Sequence, residues 1–180
     1  IGKQIQAARK KKDLTQFKNF KHRTFNGTDC IFFLQSLQNI YRKHGGLEKV
    51  FFVFPSPEGE GPGVRQAITN FRKTFFSILH PKRTEKHISN PEAHSACKRL
   101  NMFLRWMIRN DNRGVDFGIW KNISPKNLMC PLDVHSGNVA RNLGVLTRKQ
   151  NDWQSVEELT SRLREFDSND PVKYDFALFG

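Results

Sequence analysis

The chain of 180 residues has only three cysteines, and none of them lies at a short spacing from another. Zinc knuckles and four-cysteine iron–sulfur clusters need closely spaced thiolates, so Cys30, Cys97 and Cys130 support neither kind of site. An odd number of cysteines without such spacing is typical of a reducing compartment. We therefore expect no metal, no small-molecule cofactor and a cytoplasmic location.

Long apolar runs and acidic residues are also scarce. No apolar run approaches the roughly 20 residues that a membrane-spanning helix needs, so we expect no membrane insertion. The 17 Asp and Glu are outnumbered by 30 Lys and Arg, which gives a net charge of +13. This excess favours an anionic partner, and nucleic acid is a better candidate than a membrane surface.

Clear strand alternation and internal repeats are missing as well, whereas helical patterns recur along the chain. The predicted fold class is therefore all-α, with six to eight helices. The 16 Phe against 2 Tyr indicate an aromatic core. The run FPSPEGEGPG at residues 54–63 predicts a surface loop. Further helix signals are a cap at Thr28 or Asp29 with a stop at Gly45, an apolar face from Val64 to Leu79, and a capping box at Ser155 with Phe166 inward.

A helix within residues 95–109 is the element around which the rest of the chain is organised. Lys98, Arg105 and Arg109 fall away from its apolar face, so one side is predicted to be core and the other cationic. Two starts fit the sequence, one at Asn90 with proline in the first turn and one at Ser95 after a short hairpin. The apolar face consists of Leu100, Phe103, Leu104, Met107 and Ile108.

A second helix start follows in the sequence PLDVH at residues 131–135. Asp133 can accept backbone N–H bonds from a helix that runs from Val134 to Leu143, and Gly144 is placed to end that helix. A lysine and an aspartate are thus predicted at the N-termini of two consecutive helices.

These two residue types suit chemistry at a sugar C1′ atom. The positive end of a helix disfavours the charged form of an amine, so Lys98 could act as a nucleophile. Backbone donors keep a carboxylate ionised, so Asp133 could stabilise a developing cation or assist proton transfer. The residues alone equally fit a solvated lysine and a simple helix cap, and His135 fits a structural role.

The same two helix starts resemble parts of the helix-hairpin-helix DNA glycosylases. The sequence PLDVHSGNVARNLG at residues 131–144 resembles the segment in which a turn of the Pro-Val-Asp-X-His type delivers the catalytic aspartate of that superfamily. The sequence SACK at residues 95–98, followed by an apolar helix, is similar to the end of its hairpin. The resemblance implies that Asp133 is the catalytic aspartate and Lys98 the Schiff-base lysine.

Longer stretches resemble a bacterial family of proteins of unknown function that is related to those glycosylases. The resemblance covers nearly the whole chain and implies one module with two helical lobes, roughly residues 1–83 and 84–180, around a cleft. Members of that family normally have more chain at both ends, so we expect a fragment of a slightly longer protein. The stretches are HRTFNG at 22–27, KRLNMFLRWM at 98–107, GVDFGIW at 114–120 and DPVKYDFALFG at 170–180.

Two features depart from the glycosylase pattern. The hairpin sequence NPEAHSAC at residues 90–97 has no glycine, although the superfamily uses hairpin glycines to bring backbone N–H groups close to a DNA phosphate. The 35 positions between Lys98 and Asp133 also imply an inserted loop, roughly residues 111–130. This loop either shapes the base pocket or merely packs.

The predicted function is base-excision repair by a DNA glycosylase that flips a damaged base, with or without an AP lyase step. The expected partner is double-stranded DNA, bound by a monomer at the nucleoid. The alternatives are a non-catalytic DNA-binding module with a glycosylase-like fold and, from charge alone, an RNA-binding protein. The residues expected to contact DNA are Arg99, Arg105, His135, Lys82 and Arg83.

Overall fold

A computed structural model describes residues 14–51, 63–111 and 114–179, and most of these residues are helical. The all-α class is thus confirmed at the level of secondary structure. The predicted loop at 54–63 lies almost entirely outside the described residues. The α-helices are α1 (Gly27–Lys43), α2 (Leu47–Phe51), α3 (Gly63–Phe75), α4 (Lys98–Ile108), α5 (Val134–Asn142), α6 (Trp153–Phe166) and α7 (Asp175–Phe179).

Short 3₁₀ turns and one small hairpin connect these helices. Strand β1 (Lys21–His22) pairs antiparallel with β2 (Phe25–Asn26), with Arg23 at φ 54° in the turn. This hairpin is compatible with the lack of clear strand alternation in the sequence, because two-residue strands are too short for alternation to be visible. The 3₁₀ turns are Thr15–Phe17, Lys82–His87, Pro91–Ala93, Pro125–Asn127 and Pro171–Tyr174.

A capping box starts α1 and also holds the Lys82–His87 turn. Asn26 is the N-cap, and its side chain accepts from the Asp29 backbone while the Asp29 carboxylate accepts from the Asn26 backbone. The cap is thus Asn26 rather than Thr28 or Asp29. Asp29 is fully buried and also binds Arg83 at 2.7 Å and the Thr84 hydroxyl at 2.7 Å. The turn is therefore fixed to the N-terminus of α1.

One aromatic-rich core extends through the described chain, from Phe32 in α1 to Leu178 in α7. Phe51 of α2 stacks on Phe71 of α3 with ring centroids 4.4 Å apart. The large side chain of Trp153 closes this core at the start of α6, where it is 1% exposed. Burial of such rings is the main stabilising contribution, as the phenylalanine content indicates.

The ends of two helices differ from the predicted ones. α3 ends at Phe75, and Leu79 is fully exposed. α6 begins at Trp153 with Asp152 as its N-cap, and Phe166 is 63% exposed instead of buried. In α6 the Asp152 side chain accepts from the Ser155 N–H, so the cap lies three residues before the predicted one.

The predicted cationic side of α4 is wrong at Arg105, which is only 1% exposed. Its guanidinium binds the buried carboxylate of Asp116 at 3.2 Å and pairs with Asp175 at the start of α7. Arg109 binds Asp116 at 2.5 Å and Asp170 at 2.8 Å. Arg105 is buried and Arg109 half-buried because carboxylates from distant segments pair with them.

The segment between Arg109 and the second helix start packs on α4. The backbone N–H groups of Phe117 and Trp120 donate to the last carbonyls of α4, on Trp106 and Met107, at 2.8 Å each. Trp120, Ile123 and Leu128 are buried. Of the two predicted roles of the inserted loop, its described part fulfils the packing role. Among the described helices, none combines the length and the apolar character needed to cross a membrane.

Candidate functional site

A tight hairpin places Lys98 at the start of α4. Asn90 caps the Pro91–Ala93 turn, and two non-glycine residues, His94 at φ 60° and Cys97 at φ 48°, reverse the chain. α4 then begins at Lys98 without a side-chain cap. The hairpin alternative for this helix start is thus the one that the structure adopts. Asn101 fixes the hairpin from within α4 by donating to the Ala96 carbonyl at 3.1 Å.

Asp133 caps α5 through a reciprocal contact with Ser136. One carboxylate oxygen, Oδ1, accepts from the Ser136 backbone N–H at 2.9 Å and from its hydroxyl at 3.1 Å. The Asp133 N–H donates to the Ser136 hydroxyl at 3.0 Å. The helix ends at Asn142, before Gly144 at φ 72°, close to the predicted end. The predicted cap role of Asp133 is confirmed.

The structure brings Lys98 and Asp133 together. The Lys98 ammonium nitrogen Nζ lies 2.6 Å from Oδ2 of Asp133, the oxygen that does not face Ser136. The side chains are 39% and 25% exposed, so solvent reaches both groups. The N-termini of α4 and α5 therefore meet at one partly exposed ion pair.

The Asp133 carboxylate is held in its ionised form. Partial burial raises its pKa, but the hydrogen bond from Lys98, those from Ser136 and the charge of Lys98 outweigh burial and lower the pKa to about 2. At neutral pH the carboxylate beside Lys98 is thus ionised. One oxygen of that carboxylate serves the helix and the other serves the lysine.

Two aromatic side chains adjoin the ion pair. Phe179 of α7 lies with its ring centroid 5.7 Å from the Lys98 Nζ, and its ring meets that of His135 edge to face at 5.8 Å. Both side chains are exposed, Phe179 at 55%. α7 packs on α5, and Asp175 at its first position is paired with the buried Arg105. Arg105 therefore fixes the helix that carries Phe179.

A family model for proteins of unknown function, DUF2400, matches residues 2–180. The chain belongs to this family. No curated protein and no solved structure matches it. In this DUF2400 chain the described residues contain no group of three or more His, Cys, Asp or Glu side chains arranged to hold a metal ion. Lys98 and Asp133, the predicted catalytic residues, are in contact in the structure.

The two buried thiols, Cys97 and Cys130, are poor candidates for a nucleophile. Burial raises the pKa of Cys97 to about 11, and burial raises the pKa of Cys130 as well. A thiol with a raised pKa is a poor nucleophile near neutral pH, because the thiolate is the reactive form.

A separate group of cations, which we call the basic surface, lies on the β-hairpin, the residues just before it and the Lys82–His87 turn. Arg83 donates to the Thr24 carbonyl at 3.0 Å, which joins the Lys82–His87 turn to the β-hairpin. The basic surface consists of Lys18, Lys21, Arg23, Lys82 and Lys86. All five side chains are exposed, and none of them forms an ion pair within the described part of the chain.

The predicted DNA-contacting residues divide into three groups. Arg99 and Lys82 are exposed, and His135 is exposed beside Phe179. Arg83 is 43% exposed but already bound to Asp29. Arg105 is buried, so its predicted contact with DNA is corrected to a structural role.

The sequence patterns missed three residues of the site. Ser136 could have been found, because a hydroxyl three positions after an aspartate N-cap is a local signal. Phe179 gives no such signal, since only the packing of α7 on α5 brings it to Lys98. Asn151 also gives none, although its side-chain amide donates to the Asp133 carbonyl at 3.2 Å across 18 positions.

Proposed function

We propose that this protein is a DNA base-excision glycosylase with an AP lyase step, and that its helices form a glycosylase-like helix-hairpin-helix module with two lobes around a cleft. The observation that carries the proposal is the 2.6 Å contact between Lys98 and Asp133 at two converging helix N-termini. A hairpin precedes the lysine, and the aspartate caps the next α-helix, as the resemblance implies.

In the proposed reaction, Lys98 is the nucleophile toward C1′ of an extruded nucleotide. Its ammonium first releases a proton, the amine forms a bond to C1′, and the bond from C1′ to the base nitrogen breaks. The departing base takes up a proton, which balances the one that Lys98 releases. The C1′–O4′ bond then breaks, and O4′ takes up one of the two protons on the Lys98 nitrogen, which leaves a protonated imine between C1′ and Lys98. Transfer of a C2′ proton to solvent then breaks the C3′–O bond and expels the 3′ phosphate.

Asp133 has an electrostatic role in this scheme. Its carboxylate is ionised at neutral pH and lies next to the amine that would reach C1′, so it stabilises positive charge that develops on the sugar as the base leaves. The partial exposure of both side chains supports the proposal, because a substrate must reach them. The basic surface and Arg99 would hold the phosphate backbone on either side of the extruded nucleotide.

Covalent trapping tests the proposal. Incubation with a duplex that carries an abasic site, in the presence of borohydride, should reduce the imine and leave a covalent protein–DNA complex. Lys98→Gln should abolish the complex while the affinity for the duplex remains nearly unchanged, since one of 30 basic side chains contributes little to binding. A panel of duplexes with different damaged bases then identifies the substrate.

Lys173 offers a matched control. It is also 39% exposed, pairs with an aspartate, Asp167, and lies 5.1 Å from an aromatic ring, that of Tyr174. Lys173→Gln should trap as well as the wild type. Trapping that persists in Lys98→Gln would assign the nucleophile to another amine. Salt-dependent binding without base release or trapping on any lesion would leave a DNA-binding module.

A further inference from the structure

The segment that precedes α6 contacts the hairpin in front of Lys98 and the backbone of Asp133. Its backbone pairs with the hairpin in front of Lys98, through an antiparallel bridge between Ser95 and Asp152 and a 3.1 Å bond from the Trp153 N–H to the His94 carbonyl. One residue earlier, the Asn151 amide donates to the Asp133 carbonyl at 3.2 Å. Three consecutive residues thus join the start of α4 to the start of α5.

The Asn151 side chain is held in place by Arg141. The Arg141 guanidinium donates to the Asn151 side-chain oxygen at 2.7 Å, to the Arg148 carbonyl at 2.8 Å and to the Gln150 carbonyl at 3.2 Å. Because Arg141 belongs to α5, this helix binds the connecting segment at two places, at its N-cap Asp133 and at Arg141 near its C-terminus. The amide of Asn151 therefore has a fixed orientation toward Asp133.

The absence of a side chain at Gly137 makes room for this contact. A Cβ atom at Gly137 would lie 2.7 Å from the Asn151 side-chain oxygen and 2.9 Å from the Arg141 guanidinium. Gly137 lies inside α5, where glycine is a poor helix former. Its presence there fits a need for the close approach of Asn151.

We infer that Asn151 is a positioning residue that sets the spacing between Lys98 and Asp133, with Arg141 and Gly137 holding its amide against the Asp133 carbonyl. Asn151 would thereby support the proposed lyase reaction, and this effect on the reaction rests on the proposed function. The coupling between Asn151 and the ion pair is a property of the resting protein.

The test compares Asn151→Ala and Gly137→Ala with the wild type by two measurements. Carbon-13 NMR of the carboxyl groups follows the titration of Asp133 from neutral pH downward. The wild-type pKa of about 2 should move toward the ordinary aspartate value of 3.8 in both variants, because the contact with Lys98 loosens. The rate of borohydride trapping should fall by roughly tenfold or more at unchanged DNA affinity, since misplacement of a reacting group slows the reaction without weakening binding.

Gln150→Ala is the matched control, because Gln150 neighbours Asn151 and contributes only its carbonyl to the Arg141 contacts. It should titrate and trap like the wild type. Gly137→Ala guards against misfolding of the first variant, since alanine favours the helix. An unchanged titration of Asp133 in either folded variant would overturn the inference. A shifted titration in a protein whose wild type never traps would uphold the inference and remove the proposed lyase function.

Discussion

At the scale of single residues, Asp133 has two structural tasks that one substitution can separate. Oδ1 accepts from Ser136 and caps α5, whereas Oδ2 accepts from Lys98. Asparagine caps helices about as well as aspartate, but it carries no negative charge. The two tasks therefore respond differently to Asp133→Asn.

We expect Asp133→Asn to remain folded and to lose most base-excision activity. Its stability should fall by at most about 1 kcal/mol, because a partly exposed ion pair contributes little. Thermal melts and trapping assays measure the two effects. Asp152→Asn is the control, since Asp152 also caps a helix and pairs with a cation, Arg148 at 2.5 Å. Full activity in folded Asp133→Asn would reduce the aspartate to a cap.

Asp29 links stability to pH. Burial raises its pKa, but hydrogen bonds from the Asn26 backbone, Thr84 and Arg83 and the charge of Arg83 lower it to about 2. A carboxyl whose pKa is lower in the folded than in the unfolded chain stabilises the fold above pH 4, and this contribution is lost as the pH falls from about 4 to 2. For this buried group the contribution amounts to about 2 kcal/mol.

We therefore expect Asp29→Asn to flatten the pH dependence of stability between about pH 4 and 2. Urea unfolding at a series of pH values measures the slope. Equal slopes for variant and wild type in that window would show that Asp29 does not carry this coupling.

At the scale of elements, the buried arginine of α4 determines where α7 lies. Arg105 binds Asp116 from the packed loop and Asp175 from α7, and its guanidinium carbon lies 4.2 Å from the ring centroid of Phe176. The same charges would be costly to bury singly, since an unpaired buried ion loses its hydration without compensation.

We expect Arg105→Met to destabilise the protein by about 3 to 5 kcal/mol, because it leaves the buried Asp175 without a cation and Asp116 with Arg109 alone. The loss should shrink at lower pH as Asp175 is protonated, since burial raises the pKa of this carboxyl. Denaturant unfolding measures it against Arg162→Met, in which an exposed pair with Glu165 is removed and the expected change is within about 0.5 kcal/mol. Equal effects of the two substitutions would contradict a role for the buried network.

At the scale of the whole molecule, the basic residues that give the net charge of +13 differ in whether they have acidic partners. Arg105 of α4 and Arg109 directly after it pair with the buried Asp116, whereas the lysines of the basic surface have no acidic partner among the described residues. Unpaired surface cations are the ones that can replace counterions on a nucleic acid.

We expect duplex DNA binding to weaken steeply with salt, with a log–log slope of about 0.9 per phosphate contacted. The double substitution Lys82→Ala with Lys86→Ala should lower this slope, and fluorescence anisotropy at a series of salt concentrations measures it. The control pair is Arg42→Ala with Lys43→Ala at the other end of α1, about 20 Å from Asp29 at the rise per residue of an α-helix. A flat salt titration of the wild type would remove nucleic acid as the partner.

The sequence by itself determined the local features of the site. The Asp133 cap and the glycine after α5 could be predicted, because turns and caps involve residues within a few positions of one another, whereas the start of α4 was left open between two positions. The helical class followed for the same reason, since helical periodicity is a local signal. Only strands as short as β1 and β2 escaped it.

The tertiary structure alone decided which side chains meet. Lys98 reaches Asp133 across 35 positions, and Asn151 reaches it across 18. Arg105 has the helical position of a surface residue, yet it is buried because Asp116 and Asp175 arrive from segments that share no periodicity with α4. Periodicity identifies the apolar face of one helix, but a buried ion pair depends on the packing of several elements at once.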